Sequence, residues 1–596
     1  MRNAIILTIL IAVTATFAQT YVSGAVSGVW DSTGSPYYVT DSICVPSGDS
    51  LRIGPGVEVI FQGHYKFCVD SAAVLKAIGT AEDSIIFTAE DTANWWQGLK
   101  FWKSSTDCEL SHCRISRSDL AGILVKEGRV EILHSRVSGN KWIRGGGVNV
   151  ENSVLRIEHC AINDNSTQGS YGSGIGGGIY AANSEIEINC SVLNENRVGS
   201  RETGKGGCVY ADNCQISFLS CEFKSNLAKG SDASCEGSNG GDACGGCLYL
   251  TGNTDVTIKN SHFIDNIASG GDGTPGYHCV GKGGDASGGA IYIEGSNLTI
   301  ENTLFYKCQS RQGLGACGYD WMGNPIGPTH GKEYGGAISS FSSIINITNN
   351  SFYGNSAKTH GNTLYLPTIA TIIFNSIIWT YPGYSSHSDI YYCSTEPLII
   401  SSSNLDSNLI YARDSLYWDS SNLNSIPFFV DTASGDFHLQ SSSPCIDAGA
   451  ESVYIAFLDT TFFAPLFDIE GNPRPYAGGW DIGAYESPYD YIRESDIEKP
   501  KAISVSAYPN PFNGNCRIMI DDLGLGIEAI EVFDVNGRMV ANITVGEGLC
   551  DLPREHTQVL PYDFIWTPGE FLGSGIYLIR AGSGGSEAVR RVIYLK

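Results

Sequence analysis

Gly240 to Leu250 reads GGDACGGCLYL, and 43 residues later Gly283 to Ile293 reads GGDASGGAIYI. No helix turn or hairpin writes the same motif twice at that distance, so the chain is built from stacked units. Aligning the apolar residue after each Gly-rich start with the Asn that follows it gives seven such units. Ile123 leads to Asn140, Val148 to Asn165, Ile179 to Asn196, Val209 to Asn226, Leu248 to Asn266, Ile291 to Cys308 and Ile338 to Asn355. The separation is 17 residues in six units and 18 in the other. From each Asn-type residue to the next start the distance instead runs 8, 14, 13, 22, 25 and 30. A fixed unit alternates with a lengthening loop.

Inside the unit, GGAIYI alternates as a strand does, and LTIENTLFYKC adds two short strands. A further large apolar residue follows each start: Val137, Ile162, Val192, Phe223, Phe263, Phe305 and Phe352. One such turn of strands cannot bury its apolar side alone and must stack on its neighbours. Parallel strands stacked this way make a β-helix, right-handed by the crossover preference, with equivalent residues ~4.8 Å apart. The fold expected is all-β. Asn140, Asn165, Asn196, Asn226, Asn266 and Asn355 then form an inward ladder, each amide bonding the next coil's turn. Cys160, Cys190 and Cys221 align as small core residues at a spacing that also permits a disulfide. The stretches from Ser50, Ser84 and Trp95 read as opening turns, and Asn362 to Trp379 as a late turn without the Asn.

Bulk properties limit the function classes. The chain has 596 residues, 71 of them Gly, and a formal net charge of −26. That charge argues against nucleic acid or anionic lipid as a partner. Arg2, the apolar run Ala4 to Phe17 and the small residues before Gln19 read as a secretory signal. No later stretch is long and apolar enough to span a membrane. Nineteen cysteines fit an oxidising compartment, and the odd count leaves at least one thiol free or paired with another chain.

Three resemblances follow from quoted residues. The GG-A-I…F-x-x-N unit, over about residues 95 to 380, resembles the repeat of polymorphic outer-membrane proteins and related β-helix surface proteins. GDFHLQSSSPCIDAG (Gly435 to Gly449) with DIEGNPRPYAGGWDIGAYE (Asp468 to Glu486) is similar to the choice-of-anchor Q module. AYPNPFNG, IEVFDVNGRMV and the closing GSGIYLIRAGSGGSEAVRRVIYLK resemble the C-terminal sorting domain of type IX secretion substrates. This last resemblance implies export through the type IX secretion machinery, across the outer membrane to the cell surface or medium. A Cys-bearing insert between Gly546 and Asp563 departs from the pattern, with Cys550 a candidate partner for Cys516. The expected organisation is a signal peptide (1–18), a β-helix (19–400), a choice-of-anchor Q-like end of the β-helix (401–486), an acidic linker (487–501) and a sorting β-sandwich (502–596).

Catalytic constellations are not evident. Parallel β-helices include polysaccharide-cleaving enzymes, yet of the polygalacturonase motifs only Asn253-Thr254-Asp255 is present, as a turn before a strand. No serine-hydrolase or zinc-protease motif occurs, and the 11 His look scattered. Asp242 and Asp285 occupy equivalent places in neighbouring coils. Each bonds its own turn backbone, or the two share a calcium ion, act as a catalytic carboxylate pair, or form an ion pair with Lys332 of the next coil, and no other cofactor is implied. Tyr180, Tyr210, Tyr249, Tyr292 and Tyr365 form an outward row that either shields the sheet or offers a platform for sugar rings. The long loops carry Asp272, Tyr277, Tyr319 and Trp321, and Cys235, Cys244, Cys279 and Cys317 lie in the same insertions. These loops read as a flap over the sheet, braced by disulfides among those cysteines, as a carbohydrate site stacked on Tyr319 and Trp321 beside Asp242, Asp272 and Asp285, or as a contact for a protein partner. Adhesion or binding of a glycan or cell-surface polymer leads as the function. A polysaccharide-degrading enzyme and a structural surface-layer protein follow.

Overall fold

The computed structural model describes residues 19–91, 93–168, 174–276, 280–319, 322, 324–380, 388–412, 416–455, 458–476, 478–489, 504–521, 529–543, 562–569, 571–583 and 586–596. The signal segment, Tyr277, Cys279, Trp321 and Cys550 lie outside the described residues. Two compact units divide the chain, Met1–Tyr491 and Ile492–Lys596.

The first unit is a right-handed parallel β-helix. A representative coil runs through Ile179–Ala182, Glu185–Asn189 and Val192–Asn194, and the next repeats it with Val209–Asp212, Gln215–Leu219 and Glu222–Lys224. Every ladder between them is parallel: Ile179 faces Val209, Ile186 faces Ile216 and Leu193 faces Phe223. The seven starts Ile123 to Ile338 stack in one register. Alternate residues of each strand point inward, and the column Phe223, Phe263, Phe305 and Phe352 stacks with ring centroids 4.5, 4.8 and 4.6 Å apart.

The chain turns between strands on single left-handed residues, Asn183, Cys190 and Glu195 in this coil (φ 49°, 47° and 56°). That geometry corrects two alignments. The inward apolar residue of this coil is Leu193, fully buried, while Val192 is only half-buried. Cys190 is the exposed corner residue, and Ser191 takes the inward place that Cys160 and Cys221 hold, accepting the Cys160 N–H at 3.0 Å. The corner residue shifts the frame by one.

The motif that opens the sequence also has a physical cause. Gly245 has φ +65°, and a Cβ on Gly246 would strike the carbonyl oxygen of Gly289 in the next coil. The pair therefore supplies a left-handed corner and then a strand start with no room for a side chain.

Coiling starts at Thr20–Ala25, where Cys44 and Cys68 join neighbouring rungs through a disulfide, and passes residue 400 to end at Leu416–Trp418. The segment from Phe429 to Glu486 is not a further coil. It folds back along the outside, burying Phe429, Phe437, Leu439, Cys445 and Tyr485 against Leu304, Tyr306, Tyr353 and Ile377. Arg474 and Glu486 pair beneath it at 2.8 Å with almost no exposure.

The second unit is a small antiparallel sandwich of a three-stranded and a four-stranded sheet. Phe512, Cys516, Ile518, Ile530, Val532, Trp566, Tyr577 and Val592 lie in its core.

Candidate functional site

The longest loops leave the coils on one side, and their extended segments pack side by side. Gly241 donates to Ser231, Gly271 to Gly241, Gly284 to Gly271, Gly313 to Gly284 and Gly331 to Gly313, all at 2.8–3.0 Å. Outgoing and returning segments of successive loops thus form one hydrogen-bonded layer. A Cβ on Gly271 would strike the Ser231 carbonyl, and one on Gly284 the Gly241 carbonyl, so the layer tolerates only glycine there. The first Gly-Gly of the repeated motif belongs to this layer and the second to the corner below.

The aspartates complete the layer. Asp242 accepts the Asp285 N–H at 2.8 Å, and Asp285 accepts the Lys332 N–H at 2.9 Å. In a parallel row Asp232 accepts the Asp272 N–H at 3.1 Å and Asp272 the Leu314 N–H at 2.8 Å. Each carboxylate bonds backbone in the neighbouring segment rather than in its own turn. Lys282 Nζ, 2.9 Å from Asp285 Oδ1, adds a positive charge beside the upper rung.

Above this layer stands a short hairpin, Gly318–Tyr319 paired antiparallel with Pro325–Ile326. Gly318 lies against Gly276 and Val280 of the preceding loop, and Tyr319 is 59% exposed. Leu314 and Met322 are exposed as well. Asp272 bonds the Leu314 N–H at 2.8 Å, and Tyr319 follows later in the same loop as Leu314. Asp242 is likewise exposed and Asp285 half-buried, and both bond within the layer. In sequence Trp321 lies between the two hairpin strands and Tyr277 in the preceding loop, and both fall outside the described residues. Cys235 and Cys317 are exposed free thiols, and Cys244 is half-buried and also free.

Beneath the loops lies the tyrosine row. The rings of Tyr180, Tyr210, Tyr249 and Tyr292 stack at 5.5, 5.2 and 4.8 Å. They point away from the core, as strand alternation requires, yet Tyr180 and Tyr249 are only 7% and 5% exposed. Loop ends such as Gly204–Lys205 and Ala243–Cys244 pair in a small parallel sheet beside them, with Lys205 Nζ 4.9 Å above the Tyr249 ring. Burial pushes the Tyr210 phenol up to about 12. Tyr180 and Tyr249 are covered in this way, while Tyr210 and Tyr292 are half-buried. Past the loops it continues through Tyr365, Tyr391 and Tyr411, stacked at 5.5 and 4.5 Å, and there Tyr411 is 43% exposed.

The Asn ladder is inside, in an arrangement that runs backward along the chain. Asn196 Oδ1 accepts the Asn165 N–H at 3.1 Å, and its Nδ2 donates to the Ile162 carbonyl at 2.7 Å. Each amide thus serves the preceding coil's turn, correcting the expected direction. Asn140, Asn226, Asn266 and Asn355 repeat the bond to the carbonyl.

One feature was missed in the sequence. The outward residues Glu185, Glu187, Gln215, Ser217, Asp255 and Thr257 line a polar trough of about 170 Å³ on the second strand of three successive coils. Alternation within EIEIN, QISFL and DVTIK carried that signal, since every second residue is polar.

A family described as right handed beta helix region matches residues 92–242. No curated protein matches the chain. Among solved structures, the crystal structure of pectate lyase Pel9A is similar over 73% of this chain and 88% of its own, at 14% identity and a TM-score of 0.25. Among the described residues no helix is long and apolar enough to cross a membrane.

Proposed function

We propose that this chain is an exported cell-surface β-helix protein that binds carbohydrate through the edge of its long loops. The observation that carries the reading is the segment-to-segment bonding of the loops that present an exposed aromatic residue. Loops of this length are ordinarily either functional or disordered. Here they are bonded segment to segment, and they hold Tyr319 out to solvent. A rigid support lowers the ordering cost of binding, and tyrosine offers a sugar an apolar face with a polar tip. Export by the type IX route rests on the Tyr-Pro-Asn-Pro, D-x-x-G-R and G-x-Y motifs of the tail, in a chain that also opens with a signal-like segment.

A second reading, polysaccharide cleavage, is favoured by the trough, where Glu185, Glu187 and Asp255 place carboxylates on an open polar surface. Carboxylates are the general acid and base of sugar chemistry. One experiment separates the two. The full chain is screened for glycan binding while reducing ends and unsaturated products are followed. Binding without product, weakened by Tyr319→Ala and Trp321→Ala at unchanged melting temperature, supports the loop-edge site. Product formation lost in Glu187→Gln supports cleavage. A glycan bound equally well by both loop variants removes the loop-edge site.

A further inference from the structure

The corner between the second and third strands of each coil is one left-handed residue. In four consecutive coils that residue is His112, His134, His159 and Cys190, with φ of 52°, 47°, 52° and 47°. The residues before them pair in register, Ser111 with Leu133, Leu133 with Glu158 and Glu158 with Asn189, so the four stack rung on rung. The His112 and His134 rings are 4.9 Å apart at 22°, and the His134 and His159 rings 5.0 Å apart at 2°. His134, His159 and Cys190 are exposed and His112 is half-buried. Histidines that look scattered in the sequence form one continuous column ending in a free thiol.

Conformation alone does not call for these side chains. Later coils fill the same corner with Ser220, Asn260, Asn302, Asn349 and Asn375, and Asn suits a left-handed corner without bringing a ring nitrogen. The coil core does not need them either, because each points to solvent or lies at the surface. What three imidazoles and a thiol share is ligand chemistry.

We propose that this column binds a divalent transition metal ion of the zinc class, through imidazole nitrogens of neighbouring rungs and the Cys190 thiolate. Imidazole and thiolate are the donors that zinc, cobalt and nickel accept. Tetrahedral coordination at ~2.1 Å sets ligand nitrogens ~3.4 Å apart. The rings lie parallel rather than convergent, and among the described residues no three of these donors are already gathered around one point, so binding requires the exposed rings to turn about χ1 and χ2 and tilt together. The Cys190 proton is released to solvent as the thiolate coordinates. Glu158 Oε1 lies 3.5 Å from His159 Nε2 and is placed to orient that ring or complete the shell. The net charge of −26 favours a cation over an anion at this surface.

The test titrates the full, reduced chain with Co²⁺, and with Zn²⁺ in competition. The expected result is a tetrahedral Co²⁺ spectrum with a thiolate charge-transfer band, displaced by Zn²⁺. Cys190→Ser removes that band, and His134→Asn with His159→Asn weakens binding at least about tenfold. Asn occupies this corner in later coils, so the double variant keeps the backbone, and circular dichroism checks that it does. An octahedral aquo spectrum overturns the proposal. So does a charge-transfer band that survives Cys190→Ser, or an affinity that the double histidine variant leaves unchanged.

Discussion

Asp285 donates its backbone N–H to the carboxylate of Asp242 at 2.8 Å and takes the N–H of Lys332 on its own carboxylate at 2.9 Å. Two aspartates that look like a paired acidic site are successive rungs of a loop brace. Asp242→Ala should therefore loosen the loop layer by about 1–2 kcal/mol, the worth of a charge-assisted bond. Hydrogen exchange at the Asp285 amide would quicken roughly tenfold, and Asp242→Asn, which keeps an acceptor oxygen, should restore most of the protection. Equal exchange in the Ala variant and the parent would remove the brace.

Asn196→Ala leaves the Asn165 N–H and the Ile162 carbonyl without their partners inside the coil. A loss of about 1–3 kcal/mol is expected. Denaturant melting measures it, and the Asn165 amide should be among those that lose exchange protection.

Gly246→Ala drives a methyl into the Gly289 carbonyl, and neither coil can move without breaking its ladder. The expected cost is about 3 kcal/mol or failure to fold. Gly327→Ala is the control, since nothing lies near its added carbon and its φ is not positive. Similar melting of the two variants would contradict the close stacking of coils.

The segment that folds back over the coils carries a pH dependence. Burial first, and then the Glu486 charge, pushes Asp481 up to about 7, and burial raises Glu486 as well. Both folded values lie above the unfolded carboxylate value of roughly 4, so the native state holds protons the unfolded state has lost. The stability these groups contribute is therefore fully present below about pH 4 and declines as pH rises through about 7. Asp481→Asn should flatten that slope between pH 4 and 7, whatever it does to the absolute melting temperature. Parallel pH profiles for the two proteins would contradict the assignment.

The coil was legible because its constraints are local and periodic. A fixed spacing to the Asn follows from one left-handed corner and one inward amide per turn, and the Phe column repeats with it. The frame slipped only at Cys190, where a thiol sits at a corner and a serine takes the inward place; two small residues in a row carry no signal to tell them apart. The loop layer was not legible for the opposite reason. Gly271, Gly284 and Gly313 bond to segments 30, 13 and 29 residues earlier and show no two-residue alternation, so nothing local announces their order. Tyr180 and Tyr249 lie on the outer face of the strand, but their cover comes from Arg144, Lys205 and neighbouring loop ends that strand alternation does not announce. The backfolding of Phe429 to Glu486 depends on pairings such as Asn302 Nδ2 to the Phe467 carbonyl at 2.6 Å, across 165 residues. The histidine column was hidden because coil length varies, so His112, His134 and His159 share no fixed spacing.

The unequal loops also set how the molecule would yield to tension. Ladder hydrogen bonds lie along the helix axis, so a pull on the two ends of the solenoid loads one rung at a time. From Ile179 to Val209 a coil stores 30 residues, and the next three store 39, 43 and 47. At ~3.3 Å per residue these are slack lengths of roughly 100 to 155 Å. The longer ones are sewn by glycine-to-glycine bonds that must part before the slack is released. A force–extension trace would record the loop series as steps of increasing length, and the β-helix would act as a graded shock absorber.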